Sequence, residues 1–364
     1  MDFAKAFDKV PHKRLLFKLK HYGISDQAIN WIQSFLSNRT QTVLLENTTS
    51  EKIPVTSGVP QVTVLGPILF LIYINDLPDY LKHSQIRLFA DDSIIYRPIT
   101  CQNDCIKLQE DIEAAIKWEH DWLMSFHPDK CNILRVSTKK KQIHFYYNMH
   151  GHILEQVQSA KYLGITISSD LKWNKHIQQS AAKANQSLSF VRRNLKISSK
   201  LVKERAYQTI VRPKLEYCCT VWDPYTSENI YRLEQVQRRA ARYTCNRFHN
   251  TSSVSDMLQN LKWQTLQERR LKTRLQMFHK VINNEIAIPS QDILIKSQSK
   301  TRSNHQLTFR QLQCNKDSFK FSFFSQTIKD WNKLPPEISN KTSTDNFKDA
   351  LTHEVLLKTF SHLN

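Results

Sequence analysis

Glycine is scarce in this chain. Five of 364 residues are glycine, and all of them (Gly23, Gly58, Gly66, Gly151 and Gly164) lie before residue 165. The glycine-free remainder shows helical periodicity in several stretches and rarely alternates. Long apolar runs are missing too. The longest, Val64 to Ile74, is interrupted by Gly66-Pro67 and is too short to cross a bilayer, so it reads as a buried helix. The start, Met1-Asp2, is acidic where a secretory leader would be basic and then apolar, so neither a leader nor a membrane partner is expected. Cysteine comes to seven, an odd number at irregular spacing, which argues for an intracellular, reducing compartment without separating nucleus from cytoplasm. Cys101 and Cys105 lie near His120, but no second pair completes a zinc site.

Acidic residues run short in one half only. Residues 1–170 carry 19 Lys+Arg against 18 Asp+Glu, whereas residues 171–364 carry 33 against 15, a net of +18. Basic residues that merely solvate helix faces are the plain reading of such a surplus. So lopsided an excess points instead to a polyanionic partner, nucleic acid foremost. Hydrophobic residues make up 40% of the chain, enough for real cores, and the length suggests two or three domains.

The pattern predicts an α+β domain over residues 1–168 and a mainly helical remainder, with the boundary near Ser168-Ser169-Asp170. In the first domain Lys13 to Lys20 has amphipathic helical spacing, and Ser25 can cap a second helix. Gln41–Leu45 and Lys52–Thr56 read as a hairpin, and Pro67 opens a helix. Ile86–Ala90 and Ser93–Tyr96 form a hairpin tipped by two aspartates. A helix from about Asn103 to Met124 follows. Cys131–Val136 and Ile143–Tyr147 read as strands around the basic turn Lys139-Lys140-Lys141, and Tyr162–Ile167 as a closing strand. Beyond, Leu233, Val236, Ala240 and Tyr243 recur at helical spacing, with Arg238, Arg239 and Arg242 largely on other faces. A helix from Leu266 turns Leu271, Leu275, Phe278 and Ile282 inward and Arg270, Arg274 and Lys280 outward. Ser297–His305 reads as a linker, Leu334-Pro335-Pro336 ends a last helix, and the tail from Ser339 is expected to be weakly structured.

One feature carries chemistry. Asp91 and Asp92 sit side by side inside the apolar run Leu88-Phe89-Ala90-Asp91-Asp92-Ser93-Ile94-Ile95-Tyr96. Adjacent carboxylates repel each other and resist burial, and a cation between them removes both problems. Mg²⁺, a hard ion with oxygen ligands, is the natural candidate. A solvated Asp-Asp turn is the plainer alternative. A second acidic cluster, Met1-Asp2-Phe3-Ala4-Lys5-Ala6-Phe7-Asp8-Lys9-Val10, places Asp2 at a strand-to-turn junction ahead of a helix. Between the clusters lies Ser57-Gly58-Val59-Pro60-Gln61-Val62-Thr63-Val64-Leu65-Gly66-Pro67.

These segments, in this order and spacing, resemble the palm motifs of reverse transcriptases from non-LTR (LINE-type) retrotransposons, the jockey-like group in particular. Asp2 to His12 is similar to the family's first motif, Ser57 to Pro78 to its second, and Phe89-Ala90-Asp91-Asp92 to its third. Lys161-Tyr162-Leu163-Gly164-Ile165 resembles a later one. The likeness continues through Leu215-Glu216-Tyr217, Val221-Trp222-Asp223-Pro224 and the Arg-rich segment near Arg238. It implies a partial polymerase palm, an antiparallel sheet with helices, over residues 1–168. A basic helical thumb over 169–296 and a C-terminal linker, helix and tail over 297–364 would follow. The resemblance implies Asp2, Asp91 and Asp92 as catalytic ligands of two Mg²⁺ ions, with Mn²⁺ as a substitute; Asp2 and Asp91 would be the direct ligands, and Asp8 structural. Phe7 would stand against the sugar of the incoming deoxynucleotide, or be a core ring. Gln61 would lie close to nucleotide and template. Lys161, Tyr162 and Gly164 would grip the primer, and Arg238, Arg239 and Arg242 would touch phosphates of an RNA template and DNA primer.

Two departures bear on activity. Val62 stands where the family's second motif has glycine after the glutamine. Only Met1 precedes Asp2, so the metal-binding strand is expected to fray, and the fingers and endonuclease that family members carry upstream are not present in the sequence. Little or no polymerase activity is therefore expected. A non-catalytic RNA- or DNA-binding remnant is the competing expectation.

Overall fold

The computed structural model describes residues 1–137, 139, 141–249, 251–297 and 307–360. The chain divides into two units, Met1–Gly164 and Ile165–Asn364. The boundary falls after Gly164, the last glycine in the sequence.

The first unit opens with helices α1 (Ala6–Lys9), α2 (His12–His21) and α3 (Asp26–Leu36). Ser25 Oγ accepts from Ala28 N at 3.4 Å and caps α3, as its sequence indicates. A nested hairpin follows: β1 (Thr40–Gln41) pairs with β4 (Ile53–Pro54), and β2 (Leu44–Leu45) with β3 (Thr48–Thr49). Helix α4 (Leu65–Ile74) has Pro67 in its first turn and leads to α5 (Leu77–Tyr80). Strands β5 (Gln85–Phe89) and β6 (Asp92–Tyr96) form the acidic hairpin, and α6 (Gln102–Trp122) follows it. Its side-chain-capped start uses Asp104, whose carboxyl is held far below the usual range by hydrogen bonds from Thr100 and Arg97. Then come β7 (Asn132–Leu134), β8 (Asn148–Met149), β9 (His152–Ile153), β10 (Glu155–Val157) and β11 (Ser159–Tyr162).

The core of this unit gathers Leu15 and Leu19 of α2, Phe70 and Tyr73 of α4, and Ala115 and Trp118 of α6. Each large apolar side chain fully buried here contributes about 1.5–3 kcal/mol. Lys18 is buried among them. Its Nζ donates to Asp76 Oδ1 (2.5 Å) and to the Tyr73 carbonyl, and lies 3.7 Å from the centroid of the Trp122 ring.

Three readings of the strands need correction. Among the described residues the strands assemble as two-stranded pieces, not as one antiparallel sheet, and the β7–β10 pair is parallel. Ile143–Tyr147 is not a strand, although its burial alternates as a strand's would. Phe145 and Tyr147 face inward with rings 5.0 Å apart, but the segment forms no ladder among the described residues, so period two alone did not make a sheet. Tyr162–Ile167 is also interrupted: Leu163 (φ 45°) and Gly164 (φ 81°) turn the chain between β11 and the next strand. In the basic turn, Lys140 lies outside the described residues, as do residues 298–305 of the expected linker.

The second unit begins with β12 (Ile165–Ser168) and α7 (Asn174–Asn194). Helix α8 (Lys200–Ala206) runs into a π-helical turn at Tyr207–Val211, then α9 (Pro213–Glu216) and α10 (Cys219–Trp222). The long helices α11 (Ser227–Cys245) and α13 (Leu266–Ile282) flank α12 (Val254–Asn260). Then follow α14 (Asp317–Lys320), α15 (Phe323–Trp331), α16 (Pro336–Ser339), α17 (Thr344–Ala350) and α18 (His353–Thr359). The predicted stripe Leu233, Val236, Ala240 and Tyr243 is buried, against α7 residues such as Ala184 and Leu188. A second core takes Leu271, Leu275 and Phe278 of α13 with Trp331, Phe347, Leu356 and Phe360.

The tail from Ser339 to Phe360 is thus ordered rather than weakly structured: Phe347, Leu351 and Leu356 are fully buried, and helices continue past Pro335-Pro336; residues 361–364 lie outside the described residues. Arg270 and Arg274 also correct the sequence reading. They point inward, 1% and 2% exposed, because carboxylates await them. Asp223 accepts from Arg270 Nε (2.9 Å) and from Arg274, and Asp330 also accepts from Arg274.

Candidate active site

The first residues of the chain do not fray. Met1 N donates to Ser93 O (2.7 Å), Ala4 N to Ser125 O (2.7 Å) and His127 N to Asp2 O (2.8 Å). Asp2 bridges Asp92 on β6, and Phe3 bridges Phe126 on the other side. The segment is therefore paired on both edges. Phe3 anchors it from below, stacked on Phe126 (4.6 Å, 27°) with Phe70 and Trp118 at its edges. The expectation of a loose amino-terminal strand is overturned by these contacts.

Pairing Asp2 with Asp92 brings the acidic clusters together. In the β5–β6 register Phe89 faces Asp92, which leaves Ala90-Asp91 as the two-residue turn. Ala90 takes a left-handed φ of 50° to close it. Hairpin turns favour that conformation, yet an alanine adopts it only at some cost. Burial, then the charge of Asp91, then that of Asp2 push the Asp92 carboxyl up from its ordinary value. The three carboxylates thus act on one another through space. Lys161 opposes them at Asp92, and the Tyr162 hydroxyl is raised by burial first and by Asp92 second. Asp2, Asp91, Asp92, Lys161 and Tyr162 therefore share one neighbourhood.

Lys130 joins it, with Nζ 3.7 Å from Asp2 Oδ2. Sequence reasoning passed over this lysine. Its only sequence signal is a basic residue just after Pro128-Asp129, in a 3-10 turn whose nearness to Asp2 depends on the Phe3–Phe126 bridge.

Phe7 and Gln61 form a neighbouring group around α1. Phe7 is half-buried and stacks on Phe70 (4.5 Å, 24°), the ring that also meets Phe3. Gln61 Nε2 donates to Asp8 Oδ1 (3.2 Å), and Ser57 Oγ to Asp8 O (2.9 Å). Asp8, read as structural, thus holds the glutamine. The loop is seated by Gly58 N on Val10 O and Val59 N on Phe7 O, both 2.8 Å. Gly58 has φ +90°, and a Cβ there would stand 2.7 Å from Asp8 O, so no other residue fits. Val62 is the odd member. It is fully exposed and left-handed, φ 58°, a conformation that glycine takes freely and a β-branched residue does not.

Gly164 supplies a positive φ to the turn after Tyr162, so its place is explained by backbone geometry. In the second unit Arg239 is exposed and donates to Asn185 Oδ1 (3.1 Å), while Arg238 and Arg242 are half-buried on the same helix, α11.

Among the described residues no three His, Cys, Asp or Glu side chains form a ready metal cage. Mg²⁺ needs none, because it usually keeps waters and takes one or two carboxylates plus substrate phosphates. The mutual repulsion at Asp92 is the observation that fits a cation there. No helix among the described residues is long and apolar enough to cross a membrane.

Carboxylates from a hairpin turn and from the strand beside it thus meet in a unit of helices and small sheets. Residues 1–167, a little under half of the chain, match the reverse transcriptase (RNA-dependent DNA polymerase) family. The chain is 28% identical over 255 residues to the probable RNA-directed DNA polymerase from transposon X-element of Drosophila melanogaster, covering 66% of this chain and 27% of that protein. It is 28% identical over 264 residues to the probable RNA-directed DNA polymerase from transposon BS of the same species, covering 66% and 28%. It is 26% identical over 256 residues to the RNA-directed DNA polymerase from mobile element jockey of Drosophila melanogaster, covering 66% and 27%. The likeness therefore extends beyond residue 167 into the second unit. The chain spans little more than a quarter of the length of these relatives.

Proposed function

We propose that this chain is the palm and thumb portion of an RNA-directed DNA polymerase from a LINE-type retroelement, built to extend a DNA primer on an RNA template. The observation that carries the reading is the Asp2–Asp92 bridge beside the Asp91 turn, where the carboxylates perturb one another. Phosphoryl transfer depends on positioning and on charge neutralisation. A pair of Mg²⁺ ions, or Mn²⁺ in their place, would when bound lower the pKa of the primer hydroxyl and offset the charge of the leaving pyrophosphate. Asp2 and Asp91 are the residues that would hold them, with Asp92 completing the negative field.

Phe7, backed by Phe70, would present its ring to the deoxynucleotide sugar. Gln61, tethered by Asp8, would meet the base or template. Lys161 and Tyr162, ahead of the Gly164 turn, would hold the primer, and Arg238, Arg239 and Arg242 would contact phosphates without reading sequence. In this reading residues 1–168 are palm, 169–296 thumb, and 297–364 a C-terminal region. All seven cysteines are free, which supports a reducing, intracellular setting.

The chain as given is expected to synthesise DNA poorly, because the Val62 side chain projects where the resemblance calls for a bare backbone. Primer extension on an RNA template, compared with an Asp91→Ala, Asp92→Ala double variant, tests both statements. Weak synthesis that disappears in the double variant supports them. Robust synthesis that disappears would overturn the expected weakness and keep the site, and synthesis unaffected by the double variant would sink the site.

The net +18 of residues 171–364 favours a second reading, a nucleic-acid-binding remnant without catalysis. It predicts binding that survives loss of the aspartates and weakens steeply with salt.

A further inference from the structure

Two cavities open in the second unit. One, of about 340 Å³, is lined by Arg205, Arg212, Arg269 and Lys262, but Glu204 lines it too and Glu216 pairs with both Arg212 and Arg269. Its charges are largely answered from within the protein. The other, of about 420 Å³, is different. It is lined by Ser189, Arg192, Arg193, Lys196, Lys203, Tyr243, Asn246 and Phe248, with no carboxylate among them.

Lys203 is the informative residue. It is 2% exposed, yet among the described residues its Nζ meets only neutral partners, Asn246 Oδ1 at 2.8 Å and the face of the Tyr243 ring at 5.0 Å. A buried ammonium ordinarily has an anion beside it. At the rim, Arg192, Arg193 and Lys196 are exposed and add three more positive groups. Phe248 is 56% exposed, and the Arg192 guanidinium lies 5.9 Å from the centroid of its ring. An exposed aromatic face next to a cluster of cations is the combination that receives an unpaired base together with its phosphate.

We propose that this pocket, between the C-terminal ends of α7 and α11 and the side of α8, binds a single-stranded polynucleotide. One phosphate would enter toward Lys203, and the adjoining base would stack on Phe248. The proposal rests on the nucleic-acid-handling reading above and gives it a discrete site within the second unit. The cavity volume lies within the range of sites that enclose one small ligand, ~300–1,000 Å³. Every base offers a stacking face and every nucleotide a phosphate, so the site would grip a strand without choosing its sequence.

The test is fluorescence anisotropy of the full chain with a short labelled single-stranded RNA, its DNA counterpart and a duplex of the same sequence, over a salt series. Inorganic phosphate and a nucleoside monophosphate serve as competitors, separating a free anion or nucleotide from a strand. Phe248→Ala should weaken single-strand binding about tenfold. The double variant Arg192→Gln, Arg193→Gln should lower the salt slope by ~0.7 for each phosphate that is no longer neutralised. Lys329→Gln, which removes a charge from an exposed position on α15, should change neither. These positions are exposed, so folding is not at stake, whereas Lys203→Met is read only if circular dichroism shows an intact fold.

Pocket variants that behave like Lys329→Gln would overturn the proposal. So would displacement of the strand by inorganic phosphate or by the monophosphate at matching affinity, or equal binding of the duplex untouched by Phe248→Ala. Primer extension is measured alongside. Pocket effects together with synthesis that survives the Asp91→Ala, Asp92→Ala double variant would count against the polymerase reading alone, and synthesis lost in that variant without pocket effects against this inference alone.

Discussion

Val62 offers a clean perturbation, because its backbone is strained and its side chain touches nothing. The residue sits at φ 58° and is fully exposed. A left-handed conformation costs an L-residue about 1–2 kcal/mol, more when Cβ is branched. Replacement by glycine removes that penalty. Against it stands the larger conformational freedom of glycine in the unfolded chain, about 0.5–1 kcal/mol. No buried apolar area is removed, so no third contribution enters. The balance is a stabilisation of about 0.5–1 kcal/mol for Val62→Gly, or roughly 1–4 °C in the unfolding midpoint of a unit this size. Val62→Ala is the control: it keeps a Cβ, so most of the strain stays and the gain should be smaller. Urea titration of the full chain, with a thermal scan beside it, reads both variants. The same glycine should raise primer extension relative to the parent, because the loop between Gln61 and α4 would then present bare backbone. A destabilised Val62→Gly, or alanine and glycine variants of equal stability, would refute the assignment of strain to backbone handedness at this position.

Other outcomes follow from the same physical reasoning. Asp92 has its carboxyl raised by burial, Asp91 and Asp2, so its contribution favours the folded state at low pH and is lost as pH rises through its folded-state value. Asp92→Asn should therefore raise the unfolding midpoint at neutral pH but not in acid, whereas Asp91→Asn should abolish any rise caused by added Mg²⁺; an Mg²⁺ response of unchanged size in Asp91→Asn would place the ion elsewhere. Lys18 is pushed down to about 8 from 10.5, chiefly by burial. Between those values the unfolded chain binds a proton that the folded chain has released, so stability should increase with pH across that window, and Lys18→Met should flatten the increase in urea titrations. Asp223→Asn leaves Arg270 and Arg274, both almost fully buried, with one fewer carboxylate. It should destabilise the chain by about 3–5 kcal/mol. A loss below about 1 kcal/mol, read by urea unfolding, would mean that water reaches the pair.

What the chain reveals before folding is mostly local chemistry. The Asp91-Asp92 turn, the Ser25 cap and the stripe along α11 could be read directly, because each is set by neighbours within one turn or one hairpin. Errors came where the deciding partner lies far along the chain. Asp2 was expected to fray because nothing upstream supports it, but its support comes sideways, from Ser93 on β6 and from Ser125 to His127 after α6. Arg270 and Arg274 illustrate the same limit in the second unit. Helical spacing sorts residues by hydropathy, so it sends arginines outward; their partners, Asp223 and Asp330, are 47 to 56 residues away in sequence. A guanidinium can be buried once its charge is met, and its stem packs as apolar surface. The basic charge of the second half is therefore not all available to a polyanion. Part of it is consumed by internal pairs such as these, and Arg212 and Arg269 share Glu216 in the same way. Such pairs take basic and acidic residues together, so they leave the net charge as it is but narrow the set of cations that carry it, which is why binding should respond to single substitutions around Lys203.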